Sequence, residues 1–327
     1  TMDWYSKQTK DLLVEVGTNA ASGFATQYQN AGTVKNTGLE LSMGWRDQIG
    51  KEFKYGVNVN MAYNKNEVTE VNNANHFIEG GNDLLAQSTG RFVRMEEGHP
   101  IGYFYGYKTD GVIQNQNDLQ AYLDQNCKGN AANSKQGASI KPGDLKFVDV
   151  DGNGVINDDD KTDLGNPHPD VTMGLTLSAE YKGFDFSVTT YGAFGAQVAR
   201  SWRKFSVGQY ENYTTEVYDY WHGEGTSNRY PLLAPGNSGQ NFQAISDIYI
   251  DDADYVRIQN LTIGYDFKRI WKNCPFQQLR VYAAAQNLFT FTGYKGMDPE
   301  NGRALNDKEP WVTGVDVGNY PQPRTYM

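Results

Sequence analysis

Along residues 55–64 the odd positions are Tyr55, Val57, Val59, Met61 and Tyr63, and the even ones are Gly56, Asn58, Asn60, Ala62 and Asn64. A strand turns successive side chains to opposite faces, so this period of two predicts an extended segment with one apolar face, aromatic at both ends. Leu39, Leu41, Met43 and Trp45 alternate in the same way with Glu40, Ser42, Gly44 and Arg46. Met173, Leu175, Leu177, Ala179 and Tyr181 do so with Gly174, Thr176, Ser178 and Glu180. Ile101, Tyr103, Tyr105 and Tyr107 alternate with Gly102, Phe104, Gly106 and Lys108, but Phe104 puts a large apolar group on the polar face. A half-buried sheet in a soluble sandwich alternates too, so the pattern alone leaves both architectures open.

Spacing separates them. Strands are predicted at roughly 3–14, 37–47, 53–67, 89–95, 100–108, 171–181, 184–196, 254–267 and 279–289, with a tenth starting near Tyr320. Long connections (15–36, 68–88, 109–170, 197–253, 290–319) alternate with short ones (48–52, 96–99, 182–183, 268–278). Successive antiparallel strands then send every long loop to one end and every short turn to the other, which is the asymmetry of an outer-membrane barrel. The fold class predicted is all-β, a transmembrane antiparallel β-barrel with about ten strands here. Asn58, Asn60, Ser178 and Gln286 would line its polar lumen. An open sheet of ten strands would leave two unpaired edges, which a bilayer does not tolerate. The chain also opens at Thr1 without an initiator Met or a signal peptide. It is therefore expected to be a piece of a longer or processed polypeptide, with residues 1–327 one part of a single barrel domain.

Composition agrees with strands and loops rather than with an α/β enzyme. The chain carries 22 Tyr, 15 Phe, 6 Trp and 35 Gly, and its mean hydropathy is -0.65. No run of 18 apolar residues occurs, which excludes a transmembrane helix but not a barrel, whose strands meet lipid only at every second residue. A formal net charge of -10 argues against a nucleic-acid partner, which would need a basic face. Cys127 and Cys274 lack metal-ligand spacing, and the loop assignment puts them at opposite ends, too far apart to bond. The His residues at 76, 99, 168 and 222 are scattered, and no catalytic motif is present. The chain is expected not to be an enzyme.

Two segments carry candidate chemistry. Residues 149–160 follow the D-x-D-x-N-G template of a calcium loop. Asp149, Asp151 and Asn153 would offer side-chain oxygens, Val155 its carbonyl, Asn157 a further oxygen and Asp160 the last ligand, while Gly154 permits the sharp turn and Ile156 anchors the loop. A hard cation such as Ca²⁺, in a structural role, requires such an oxygen cage. Two departures are that Asp160 replaces the longer Glu and that the preceding GDLKFVDV reads as extended chain rather than helix. The alternative is an acidic, Gly-rich turn that holds no ion. The second segment is the long loop 197–253, where Trp202, Tyr210, Tyr213, Tyr218, Tyr220, Trp221 and His222 occur. Trp202, Tyr218, Tyr220 and Trp221 are the candidates for stacking on substrate; packing the loop into a lid is the other use of such residues.

Several segments in series then resemble the C-terminal barrel region of SusC-like TonB-dependent transporters. They are DWYSKQTKDLL, NTGLELSMGW, GDLKFVDVDGNGVINDDDKTDLGNPHPDVTMGLTLSAEYKGFDFSV, DADYVRIQNLTIGYDF, LRVYAAAQNLFTFTGYKGMDPE and GNYPQPRTYM. The resemblance implies a 22-stranded barrel in the outer membrane, with a plug domain and a TonB-contact segment upstream of this chain and a SusD-like lipoprotein over the mouth. It also implies import of oligosaccharides or peptides. The chain departs by ending at PRTYM, where relatives continue to a terminal aromatic. A passive porin or siderophore-type receptor, and a secreted carbohydrate-binding β-protein, are the alternative readings.

Overall fold

The computed structural model describes residues 1–17, 23, 26–73, 75–81, 90–201, 214–233, 240–306 and 309–327. Its strands, in chain order, are Met2–Gly17 (β1), Thr26–Ile49 (β2), Phe53–Val71 (β3), Phe77–Gly80 (β4), Val93–Glu96 (β5), Tyr103–Tyr107 (β6), Thr109–Val112 (β7), Leu145–Phe147 (β8), Lys161–Asp163 (β9), Val171–Tyr181 (β10) and Phe184–Phe194 (β11). Then come Gln197–Arg200 (β12), Ile250–Asp252 (β13), Tyr255–Asp266 (β14), Arg280–Thr292 (β15), Val315–Asp316 (β16) and Thr325–Tyr326 (β17).

Among the described residues, one sheet of eight strands forms a wall in the order β1-β2-β3-β10-β11-β14-β15-β17. All its pairings are antiparallel. The register carries single rows of side chains across it. Trp45, Val57, Leu177, Val188, Leu261 and Ala285 lie on one row, and Ile49, Phe53, Tyr181, Phe184, Tyr265 and Val281 on another near the short turns. The opposite face carries Gly44, Asn58, Thr176, Thr189, Asn260 and Gln286. The pattern seen in each strand is thus one continuous apolar face and one polar face. Val57, Val59, Met61, Leu175 and Leu177 are half-buried or exposed, and among the described residues no second layer covers them.

Aromatic rings mark both margins of the apolar face. At the short-turn end Phe53 and Tyr181 sit 6.2 Å apart and Phe184 and Tyr265 4.5 Å apart. At the other margin Trp4, Leu39, Tyr63, Val171 and Phe194 share a row. From Phe53 to Tyr63 the chain rises ~33 Å at the usual strand repeat. A tilt of about 40° reduces that to ~25 Å, the height of an outer-membrane apolar band.

The strand assignment needs two corrections. Residues 15–17 and 26–36, expected in a long connection, instead extend β1 and β2. Residues 89–95 and 100–108 contribute no wall strand: β5 and β6 lie in a separate sheet ordered β4-β5-β6-β9. The physical reason is burial: β6 is inside the protein on both faces through Tyr103, Phe104 and Tyr107, and β5 buries Val93 and Met95 on one face with Arg94 and Glu96 half-buried on the other. Phe104, which spoils the alternation, is a core residue. Two strands drop out together, so the up-and-down order survives, but the sorting by length holds only in part: the connection 18–25 at the long-loop end is eight residues and 267–279 at the short-turn end is thirteen. The connection between β3 and β10 becomes one excursion, 72–170, rather than two strands and three connections.

The described residues of that excursion fold with those of 195–254 and 293–324 into a lobe at the long-loop end. A helix, Gln116–Asn126 (α1), starts where the Asn115 side chain accepts from the Asn117 and Asp118 N–H groups, each at 3.0 Å, a standard N-cap. Leu119, Tyr122 and Leu123 form its buried stripe, and it ends at Cys127, ahead of Lys128 and Gly129 with φ 52° and 73°. The lobe core also takes in Val14, Val34, Val68 and Val71 from the upper ends of β1, β2 and β3. Backbone bonds from Val68 N–H to His99 O (2.8 Å) and Gly98 N–H to Val68 O (2.9 Å) join lobe to wall.

Candidate functional site

The acidic loop leaves β8, which is extended as the sequence implies, and closes on a single 3₁₀ turn, Asp158–Asp160. Gly152 and Gly154 adopt φ 74° and 75°, a left-handed geometry that favours glycine. A Cβ at Gly154 would also lie 2.6 Å from the Lys128 stem. Backbone N–H groups converge on the carboxylates. Asp149 accepts from Gly152 (2.9 Å), Asn153 (3.2 Å) and Gly154 (2.7 Å). Asp160, fully buried, accepts from Val150 (2.8 Å) and Asn157 (2.8 Å). Asn153 and Asn157 each accept from a backbone N–H two residues on, at 2.7 Å.

One carboxylate oxygen each from Asp149, Asp151 and Asp160 lie within 4.8 Å of one another. Oxygens on opposite sides of a calcium ion, each at roughly 2.4 Å, would be about that far apart. The donor set is oxygen throughout and each carboxylate keeps further lone pairs, so the residues fit a hard cation. Ile156 is buried and donates its N–H to Asn133 O at 2.8 Å. Asp158 points away from the cluster. It accepts from the Tyr107 hydroxyl at 2.6 Å and lies 3.6 and 3.2 Å from Lys135 and Lys161. The Tyr107 bond, with those two cations, holds the Asp158 carboxyl below the ordinary carboxylate value, while burial lowers the Lys135 ammonium.

The aromatic candidates do not form one group. Trp202, with Tyr210 and Tyr213, lies outside the described residues. Tyr218 is 79% exposed, whereas Tyr220 is 6% exposed and packs on Tyr230 with ring centroids 5.4 Å apart. Trp221 is half-buried over Gly143 and donates its indole N–H to Gln114 at 3.3 Å. Of the three described, only Tyr218 presents its ring to solvent.

Sequence reasoning missed a buried ionic cluster in the same region. Arg200, fully buried, lies 2.6 Å from Glu216 and 2.8 Å from Asp251, and Arg229 reaches Asp251 at 2.9 Å. Burial pushes the Asp251 carboxyl up, against the pull of the two guanidinium groups. An open polar cleft of about 560 Å³ borders it, lined by Asp219, Ser227, Arg229, Asp251, Asp252 and Lys295. On the wall, Arg257 pairs with Asp298 (2.6 Å) and Glu300 (2.7 Å) from the KGMDPE segment. None of these partnerships has a local sequence signal. Cys127 is buried and Cys274 sits in the turn at the opposite end of the wall, both as free thiols.

No family model matches the chain. It is 32% identical over 336 residues to the TonB-dependent receptor P3 of Formosa agariphila, an alignment that takes in 100% of this chain and 31% of that protein. It is 30% identical over 334 residues to the TonB-dependent receptor SusC of Bacteroides thetaiotaomicron, covering 100% of this chain and 29% of SusC. The structure superposes on that of the RagAB peptide transporter with a TM-score of 0.69 at 22% identity, over 99% of this chain and 32% of that one. The last likeness is one of fold. The chain spans about a third of the length of the relatives it matches.

Proposed function

From the premise that this chain is the C-terminal barrel portion of a SusC-like, TonB-dependent receptor of the outer membrane, we propose that the whole polypeptide imports oligosaccharides or peptides. A SusD-like lipoprotein would cover the mouth, and TonB would act through the region upstream. The observation that carries this reading is the two-faced wall: an apolar face ~25 Å high with aromatic margins, backed by a polar face of Asn58, Asn60, Thr176, Ser178 and Gln286. Such a wall separates lipid from a watery passage. The chain does no bond chemistry; its loops meet cargo and lid, with Tyr218 the best-presented aromatic and the cleft beside Asp251 a polar surface for cargo hydroxyl and amide groups.

Within the lobe, Asp149, Asp151, Asn153, Asn157, Asp160 and the Val155 carbonyl hold Ca²⁺ or a similar divalent ion in a structural role. The closeness of the three carboxylates and the oxygen-only donor set support this. The ion would neutralise their mutual repulsion and fix the loop against Ile156 and Tyr107.

The test of import uses the full-length transporter in cells. Removing the energy-coupling partner should abolish accumulation of a labelled glycan or peptide while leaving surface binding intact. Continued accumulation against a gradient overturns the reading.

A further inference from the structure

The connection between β14 and β15, residues 267–279, stands apart from the other short turns. It is thirteen residues long where 50–52 and 182–183 are three and two. It reads FKRIWKNCPFQQL, with Lys268, Arg269 and Lys272 and no acidic residue, in a chain of net charge -10. It is also rich in unburied apolar groups: Ile270 is 69% exposed, Trp271 49% and Phe276 58%.

The segment is an ordered turn. Asp266 accepts from the Lys268 N–H at 3.0 Å and caps the 3₁₀ turn Phe267–Arg269. Trp271 N–H donates to Phe267 O at 2.8 Å, Phe267 N–H to Leu279 O at 2.9 Å and Lys268 Nζ to Gln277 O at 2.8 Å. It continues the apolar side of the wall, because Phe267 follows Ile263 and Tyr265 in period two and its ring lies 5.3 Å from that of Tyr265. Tyr265 belongs to the aromatic row at the lower margin. Across the three turns Lys51, Lys182, Lys268, Arg269 and Lys272 face one acid, Glu52, which Arg269 and Lys182 share at 3.7 and 3.6 Å.

An apolar and aromatic cluster at the margin of the hydrocarbon band, with ammonium and guanidinium groups beside it, matches the layering of a phospholipid leaflet. Acyl chain and carbonyl lie above, phosphate below. We propose that residues 267–279 form an anchor for anionic phospholipid at the periplasmic margin. Ile270, Trp271 and Phe276 enter the interface, and Lys268, Arg269 and Lys272 pair with headgroup phosphate. Two observations select lipid as the occupant: the continuity of the segment with the apolar face of the wall, and the complementarity of its cations to phosphate. The inference rests on the membrane placement of the wall.

The test reconstitutes the full-length transporter in phosphatidylcholine vesicles with or without phosphatidylglycerol, and measures the preference of spin-labelled phosphatidylglycerol over phosphatidylcholine at the protein surface. The parent should prefer the anionic lipid. The triple variant Lys268→Gln, Arg269→Gln, Lys272→Gln should lose that preference by roughly fivefold or more, since one basic residue near an anionic surface carries about that factor. Trp271→Phe should remove the fluorescence component quenched by lipid brominated near the headgroup. Equal preference in variant and parent, with both inserted, overturns the anchor and leaves the barrel reading intact. A variant that loses uptake while keeping the parent's lipid preference also overturns it, in favour of a protein partner at this turn. Failure of the parent itself to insert would instead sink the membrane placement.

Discussion

The wall and the lobe solve the same problem, what to do with apolar side chains, in opposite ways. In the wall Met43, Trp45, Met173 and Leu177 stay exposed on one face of a single sheet, a state stable only where the solvent is itself apolar. In the lobe Phe92, Phe104, Leu145 and Phe147 are buried among short strands and α1. Water on the outside there demands a conventional core. The difference teaches that alternation in β-sequence reports a two-faced environment without saying what either face touches. Only the continuity of the rows over six strands, and the absence among the described residues of a covering layer over Val57, Val59 and Leu177, distinguish lipid from a packed partner sheet.

The sharpest way to break the comparison is to remove a charge from the lobe. Arg200→Ala would leave the half-buried Glu216 and Asp251 with less cation around them, a kind of change that costs about 3–5 kcal/mol when the pair is buried. The cost should stay local. Hydrogen exchange on the full-length protein in detergent should show amides of β12, β13 and β16 losing protection, while those of β10, β11 and β14 keep theirs. Equal loss in both would mean that wall and lobe form one cooperative unit.

A smaller effect sharpens the other side. Leu175 lies midway up the apolar face, opposite Val59, and its neighbour Thr176 opposite Asn58 on the polar face. Leu175→Arg should cost about 2–4 kcal/mol, the penalty for a cation at the lipid midplane, whereas Thr176→Arg faces water and should cost little. Assembly into phosphatidylcholine vesicles, read by the heat-modifiable mobility of the folded barrel, should fall for the first and hold for the second. The reverse order would invert the assignment of faces.

These cases also show what the sequence made legible. Wall strands such as β3 and β10 could be read directly, because one face meets a uniform medium for their whole length and nothing interrupts the period of two. The lobe could not. Its strands are short, several carry at most one apolar residue, as β9 and β13 do, and they pair across long separations, as when β12 meets β16 in parallel and β6 meets β9. Phe104 was the visible sign that 100–108 lies inside a core, and the Asn115 cap with Leu119, Tyr122 and Leu123 carried an unread helix signal. The acidic loop was legible as a motif because all its oxygen donors fall within twelve consecutive residues. The Arg200 cluster was not, since Glu216 and Asp251 are brought to it only by tertiary packing.

The smallest expected effect concerns the acidic loop, whose double variant Asp149→Ala, Asp151→Ala should change the lobe locally and the wall not at all. The substitution removes two of the three clustered carboxylates and the acceptors for Gly152, Asn153 and Gly154. Asp160 keeps its bonds from Val150 and Asn157, and the Tyr107–Asp158 bond and buried Ile156 still hold the loop's far end. Gly152 and Asn153 are exposed and their N–H groups can turn to water, so the loss should be on the order of 1 kcal/mol despite the several bonds removed, and confined to residues 149–157. Metal analysis after dialysis against calcium should find less bound ion in the variant than in the full-length parent, and limited proteolysis should cut the loop faster. Equal metal content in the two proteins would show that the carboxylates serve only to hold the turn through their backbone N–H bonds, and the ion would then have no part in the lobe.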